Sequence, residues 1–208
     1  MTAGLFGHSH PELVRAITET ATGVGLSLGA TSAAEARIAR LLCDRFGLAQ
    51  VRFTNSGTEA NLHALAAARH FTGRRAVVVF GAAYHGSVLS FGRPAAAAEG
   101  VQGEGKREEE EAATQYAGAE NNVDPDTFIV LRYNDCGAVH RAFRDRGSQI
   151  AAVLVEGMQG AAGFIPGTYE FLLTIQEECE KVRVSCSLPF PGIMRRGLYC
   201  GDSEPSPR

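Results

Sequence analysis

The 208-residue sequence has no basic patch interleaved with aromatic residues, and its formal net charge is -3 with 21% charged residues. Nucleic-acid binding and attraction to an acidic membrane surface therefore have no electrostatic footprint. No uninterrupted apolar run reaches membrane-spanning length, and Met1 to His10 holds neither a cationic leader nor the apolar core of a signal peptide. The five cysteines (Cys43, Cys136, Cys179, Cys186 and Cys200) are odd in number and scattered. They lack the paired spacing of zinc sites or disulfide frameworks and read as reduced thiols. A cytoplasmic compartment is the default expectation, with organelle import left open. There is no metal-ligand cluster, no internal repeat, no Walker phosphate loop and no dinucleotide glycine fingerprint. Lysine is scarce as well: Lys106 and Lys181 are the only two.

What is present reads as an ordinary globular chain, 45% hydrophobic, with 24 glycines that signal close backbone packing and many turns. Pro11 to Thr20 has Leu13, Val14 and Ile17 on one helical face, starting at a proline whose missing amide proton costs nothing. Ser32 to Phe46 repeats the helical pattern, and Gly47 stands where a helix end wants a left-handed residue. Val51 to Phe53 alternates like a strand. Ser56 and Glu59 form a capping-box pair ahead of Leu62, Leu65, Ala66 and Ala68, so a helix begins there and ends near Gly73. Ala76 to Phe80, Phe128 to Leu131 and Ile150 to Val155 are short apolar runs suited to strands buried on both faces. Val139 to Arg146 reads as a crossover helix, and Phe171 to Val182 is helical again.

Strands alternating with helices predict an α/β fold with a mostly parallel sheet flanked by helices, its ligand beyond the carboxyl ends of the strands. Three clusters fall at such ends. Asn55-Ser56-Gly57-Thr58 opens a helix with spare amide protons, a favourable dipole and two hydroxyls, which suits a phosphate. An ordinary helix cap explains Ser56 and Glu59 equally. Tyr84-His85-Gly86 follows the Ala76-to-Phe80 run; Tyr84 can cover a flat cofactor or simply pack, and His85 can serve a site or a loop hydrogen bond. Glu156-Gly157-Met158-Gln159-Gly160 follows the Ile150-to-Val155 run, where Glu156 is either a site group or a turn residue. Bland explanations must hold independently at all three places.

These residues, in this order, resemble class III aminotransferases, nearest the glutamate-1-semialdehyde aminomutase-like branch. The resemblance rests on Gly7-His8-Ser9-His10-Pro11, Gly29-Ala30-Thr31, Phe53 to Asn61, Tyr84-His85-Gly86, Tyr133-Asn134-Asp135 and Gln159-Gly160. It implies part of the large domain of a fold-type-I transferase dependent on pyridoxal 5'-phosphate. By the same resemblance Ser56, Gly57 and Thr58 cradle the cofactor phosphate, Tyr84 stacks on the ring, and His85 and Glu156 are polar neighbours. Intact relatives would be homodimers moving an amino group between an amino acid and a keto or aldehyde acceptor. The chain departs from the pattern at two lysines in unsuitable contexts and at Gly157, where the family commonly has proline. It reads as truncated at both ends, without the Schiff-base lysine or the aspartate that partners the pyridinium nitrogen, hence as inactive by itself. The rival reading is a non-catalytic phosphate-binding or dimerisation fragment. Residues 1-182 are expected to form the partial domain, with an acidic insertion at about 93-126 around Glu108 to Glu111. Residues 183-208 are expected to be a divergent, disordered tail, because Pro189 and Pro191 would spoil a central strand.

Overall fold

The computed structural model describes residues 4-25, 29-87, 89 and 127-187. The expected insertion at 93-126 and all but the start of the expected tail lie outside the described residues. The chain divides into two compact units, Met1–Phe53 and Thr54–Arg208.

The first unit carries two helices, and each begins as its sequence dictates. Helix α1 (Pro11–Gly23) has proline in its first turn and Glu12 beside the positive end of the helix dipole. Helix α2 (Ala33–Phe46) is capped by Ser32, whose hydroxyl accepts from the Glu35 amide at 3.1 Å. It ends at Gly47, φ 63°, whose amide returns to the Cys43 carbonyl. Neither helix buries a residue, although Leu13, Val14 and Ile17 line one face of α1. Residues 51-53 form no strand. Three alternating residues specify no pairing partner, and without a ladder the segment stays irregular.

Among the described residues the second unit is built around a four-stranded parallel sheet in the order β2-β1-β3-β6. Its strands are β1 (Ala76–Phe80), β2 (Phe128–Leu131), β3 (Ile150–Leu154) and β6 (Ser185–Ser187). Every residue of β1, β2 and β3 is buried, which is why these runs are continuously apolar rather than alternating. The two-residue period still decides which way each side chain packs. Val77, Val79, Phe128, Val130, Ala152 and Leu154 meet Leu65 and Ala68 of helix α3 (Gly57–Thr72). Val78, Phe80, Ile129, Leu131 and Val153 meet helices α4 (Cys136–Arg146) and α5 (Tyr169–Val182) through Val139, Phe143, Phe171 and Ile175. The sheet is thus the middle of three layers. Phe80 and Phe171 are both fully buried and meet edge-on at 5.1 Å between ring centres, each worth about 3 kcal/mol of burial.

Helix α1 runs three residues past Thr20 and α5 starts two before Phe171, and two further boundaries differ from the sequence reading. Helix α4 starts at Cys136, three residues early, because Asp135 caps it by accepting from the Ala138 amide at 2.8 Å. The expected tail does not begin at 183. Arg183 closes α5 in the left-handed conformation (φ 54°), Val184 is buried in the core, and Ser185–Ser187 pair in parallel with β3. The prolines follow these three residues and remove none of their ladder donors. A small antiparallel hairpin, β4 (Met158–Gln159) with β5 (Ile165–Pro166), sits between β3 and α5.

Candidate functional site

All six residues singled out from the sequence lie in the second unit, beyond the carboxyl ends of the parallel strands. Ser56 is the N-cap of α3, and its hydroxyl accepts from the Glu59 amide at 3.2 Å. Glu59 reaches back to the Asn55 amide at 2.8 Å, so the capping box closes one residue wider than its usual form. The first intrahelical backbone bond is donated by Ala60 to Ser56. That leaves the amides of Gly57 and Thr58 with no partner among the described residues, both at the positive end of a sixteen-residue helix. A Cβ on Gly57 would meet nothing within 4 Å, so the protein's own packing does not require glycine there. The space is open for a ligand to approach the backbone.

The loop after β1 comes down against this helix start. Thr58 Oγ1 accepts from the Ser87 amide at 3.2 Å. Gly86 lies so close that a Cβ on it would fall 2.8 Å from Thr58 Cα and 2.9 Å from Thr58 Cβ, and its φ of 110° is one that side chains disfavour. Gly86 is required for the phosphate-suited turn and the Tyr84 loop to touch.

The third cluster closes on the same loop. Glu156 Oε2 accepts from the Tyr84 amide at 3.3 Å, and its half-buried carboxyl is pushed above the usual carboxylate range by burial, against the pull of the Tyr84 and Gly160 amides. Tyr84 itself is 54% exposed, so part of its ring is available to cover a flat ligand. His85 is the reverse. It is buried, and burial lowers it from 6.5 to about 4, so the ring is neutral at ordinary pH.

Four further residues hold this arrangement, and the sequence reading gave them no role. Asn61 Nδ2 donates to the His85 carbonyl at 2.8 Å, and Gln159 Nε2 donates to the Gly81 carbonyl at 3.0 Å. Tyr133 and Asn134 secure the hairpin that carries Glu156. A signal for Asn61 was present: it shares the buried face of α3 with Leu65 and Ala68, and a polar group there needs a partner. Lys181 lies on α5, where its ammonium sits 2.7 Å from Glu178. Among the described residues no group of His, Cys, Asp and Glu forms a metal site, and no helix is long and apolar enough to cross a membrane.

The same stretch matches known proteins. A family profile described as aminotransferase class-III matches residues 2–185. The chain is 44% identical over 199 residues to the β-phenylalanine transaminase of Variovorax paradoxus, covering 95% of this chain and 39% of that protein. The crystal structure of a β-phenylalanine aminotransferase from the same organism superposes with a TM-score of 0.73 at 43% identity, over 89% of this chain and 37% of the other. Glutamate-1-semialdehyde 2,1-aminomutase from Nitrosomonas europaea is 35% identical over 189 residues, 85% of this chain and 38% of that enzyme. A transaminase solved with pyridoxal phosphate bound matches at 27% identity and a TM-score of 0.66, over 86% and 40% of the two chains. This chain therefore spans about two fifths of the length of the proteins it matches.

Proposed function

The chain belongs to the class III aminotransferase family, whose members use pyridoxal phosphate, and we propose that it carries the phosphate- and ring-binding part of such an enzyme. The observation that supports this most is the lock between Gly86 and Thr58, which sets two unpartnered helix-start amides beside an exposed tyrosine. The residues fit the cofactor. The amides of Gly57 and Thr58, with the hydroxyls of Ser56 and Thr58 alongside, would hold its phosphate, and Tyr84 would cover its ring. His85, kept neutral, and Glu156, with its proton held more tightly than usual, would be polar neighbours that fix the loop.

When bound, the cofactor supplies an aldehyde that takes up an amine and a ring that withdraws electrons from the neighbouring carbon. What this chain contributes is placement. Thr58 fixes the Ser87 end of the loop, Glu156 fixes the Tyr84 end, and the Tyr84 ring shields one face from water. The intact enzyme would move an amino group between an amino acid and a keto or aldehyde acceptor, as a transaminase or an aminomutase, in a cytoplasmic setting and as a homodimer. Self-association is favoured by the exposed apolar face of α1, and a reducing compartment by the free Cys43 and Cys136.

A second reading, binding without turnover, has one observation in its favour. Of the two lysines in these 208 residues, Lys181 is engaged by Glu178 on α5. Titration with pyridoxine 5'-phosphate, which has no aldehyde, should show saturable binding that inorganic phosphate competes away. Borohydride added after pyridoxal phosphate should leave no stoichiometric pyridoxyl group on Lys106 or Lys181. Absence of saturable binding removes the cofactor reading, and a stoichiometric adduct at either lysine removes the binding-only one.

A further inference from the structure

We propose that Tyr133 and Asn134 are positioning residues for the cofactor ring: together they clamp the β4–β5 hairpin at both ends and, through Glu156, set where the Tyr84 loop lies. The proposal rests on the cofactor reading above and deepens it. It uses a motif, Tyr133-Asn134-Asp135, whose first two members make no hydrogen bond, among the described residues, to the helix-start amides or to the loop they are inferred to control.

The clamp has two arms. Tyr133 Oη donates to the Glu156 carbonyl at 2.6 Å, a short bond at the hairpin's beginning. Its ring is wedged edge-on between Phe80 and Phe171, with ring centres at 5.9 and 5.0 Å, so the hydroxyl is aimed from a rigid base. Burial and the nearby Glu156 carboxylate raise this phenol to about 12, which keeps it a donor throughout the working range. Asn134 takes the other end. Its side chain donates from Nδ2 to the Pro166 carbonyl and accepts at Oδ1 from the Thr168 amide, both at 3.0 Å. It does so from a left-handed backbone (φ 63°) that asparagine tolerates better than most residues.

Between the arms the two ends of the hairpin are tied to each other, because the Gly167 amide donates to the Gly157 carbonyl at 2.9 Å. A Cβ at Gly167 would come within 2.9 Å of Tyr133 Oη and 3.2 Å of the Gly157 carbonyl, so there is no slack. The clamped hairpin grips the loop after β1 twice, at the Tyr84 amide through Glu156 and at the Gly81 carbonyl through Gln159. Thr58 holds the Ser87 amide by a separate route that does not pass through Tyr133. Loosening the clamp should therefore move the ring-covering end of the loop and spare the phosphate-holding end.

The test is Tyr133→Phe in the full 208-residue chain, with Asn134→Gly as a second variant that keeps the left-handed backbone and loses only the amide arm. Tyr133→Phe should weaken pyridoxine 5'-phosphate about fivefold, the effect of one lost hydrogen bond, and Asn134→Gly, which loses two, at least as much, while inorganic phosphate binds within twofold of the parent. Without any ligand, amide exchange should accelerate at Tyr84 and stay unchanged at Ser87. In a Glu156→Ala background, Tyr133→Phe should no longer change exchange at Tyr84, since the Tyr84 amide then has no Glu156 side chain to be held by; only the Gln159 grip on Gly81 is left for it to loosen. Equal weakening of both ligands with a matching drop in Tm would show a general structural role and overturn the proposal. Unchanged exchange at Tyr84 would overturn it also. If the parent chain ignores pyridoxine phosphate while Tyr84 exchange still responds to Tyr133→Phe, the cofactor reading falls and takes the ring assignment with it. The clamp then stands refuted as a cofactor device by a result distinct from its own mechanical failure.

Discussion

The two ends of the parallel sheet are held by opposite means. At the amino end one cation gathers carbonyls: Arg74 Nη1 lies within reach of the Val182, Ile150 and Gly147 carbonyls at 3.0, 3.2 and 3.5 Å. Arg69 reinforces this by donating to the Arg75 carbonyl and the Thr127 hydroxyl. A cleft of about 370 Å³ opens here among Arg74, Arg75 and Arg146, but it is at the wrong end for chemistry in an α/β sheet. At the carboxyl end, Thr58, Asn61 and Gln159 each take one backbone group, Glu156 takes the Tyr84 and Gly160 amides, and the helix-start amides stay open. The amino end saturates its own polar groups and stabilises. The carboxyl end leaves donors over, and leftover donors are what a ligand can use.

The largest effect that would sharpen this contrast is expected at Gly86. Gly86→Ala must place a methyl against Thr58 and hold a φ of 110°, a combined cost of about 4 kcal/mol. The loss should appear in urea unfolding and be accompanied by loss of pyridoxine phosphate binding. A stable, binding-competent Gly86→Ala protein would dissolve the argument that loop and helix start are locked.

Next is the acid response of the carboxyl end. His85 is near 6.5 when unfolded and about 4 when folded, so between those values the unfolded chain binds the extra proton. Stability from neutral His85 is therefore complete above about pH 6.5 and is lost as pH falls toward 4, by about 3 kcal/mol. At Glu178 burial is the largest single influence and raises the carboxyl, but Lys181 and His140 together outweigh it and hold the group below its ordinary value, which adds a loss in more acid solution. Glu156 works in the other direction, since its raised carboxyl favours the folded state at low pH. Urea midpoints from pH 7 to 4 should fall steeply in the parent and much less in His85→Gln. Parallel slopes for the two proteins would remove His85 as the cause.

Much of this molecule was legible because burial writes directly into sequence. Val77 to Phe80 and Ile150 to Val155 are apolar throughout, as strands covered on both faces must be, and Ser32, Ser56, Gly47 and Gly73 mark helix ends through local chemistry alone. Ser56, Gly57, Thr58, Tyr84, His85 and Glu156 were picked out because helix starts and strand ends can be located from the same patterns. The supports were not legible. Asn61, Tyr133, Asn134 and Gln159 act on carbonyls and amides 23 to 78 residues away, and a backbone acceptor has no residue type to advertise it. Val51 to Phe53 failed for a related reason, since alternation describes a strand's faces and not its neighbour. Arg183 misled in the opposite direction: a non-glycine residue took the left-handed cap, and order continued into β6.

At the amino end, Arg74→Met should cost about 2 kcal/mol, because the carbonyls left behind are partly buried but within reach of water. Its pyridoxine phosphate affinity should match the parent's. Unfolding and binding measured on the same sample decide this. A variant that lost affinity in step with stability would show that the two ends are coupled, and the contrast between them would no longer hold.

The smallest effect separates the two things Ser56 does. As an N-cap it accepts from the Glu59 amide, and Ser56→Ala should cost about 1 kcal/mol by exposing that donor. Aspartate caps a helix as well as serine does, so Ser56→Asp should keep the parent's stability to within about 0.5 kcal/mol. A carboxylate at that position nevertheless faces the amides of Gly57 and Thr58 and competes with any anion there. Ser56→Asp should thus bind inorganic phosphate at least tenfold more weakly while melting with the parent, whereas Ser56→Ala melts lower and, having lost one hydroxyl, binds only about fivefold more weakly. If phosphate affinity instead follows stability across the parent, Ala and Asp forms, then the helix start is only a well-capped helix. The open amides at the carboxyl end would then serve no anion.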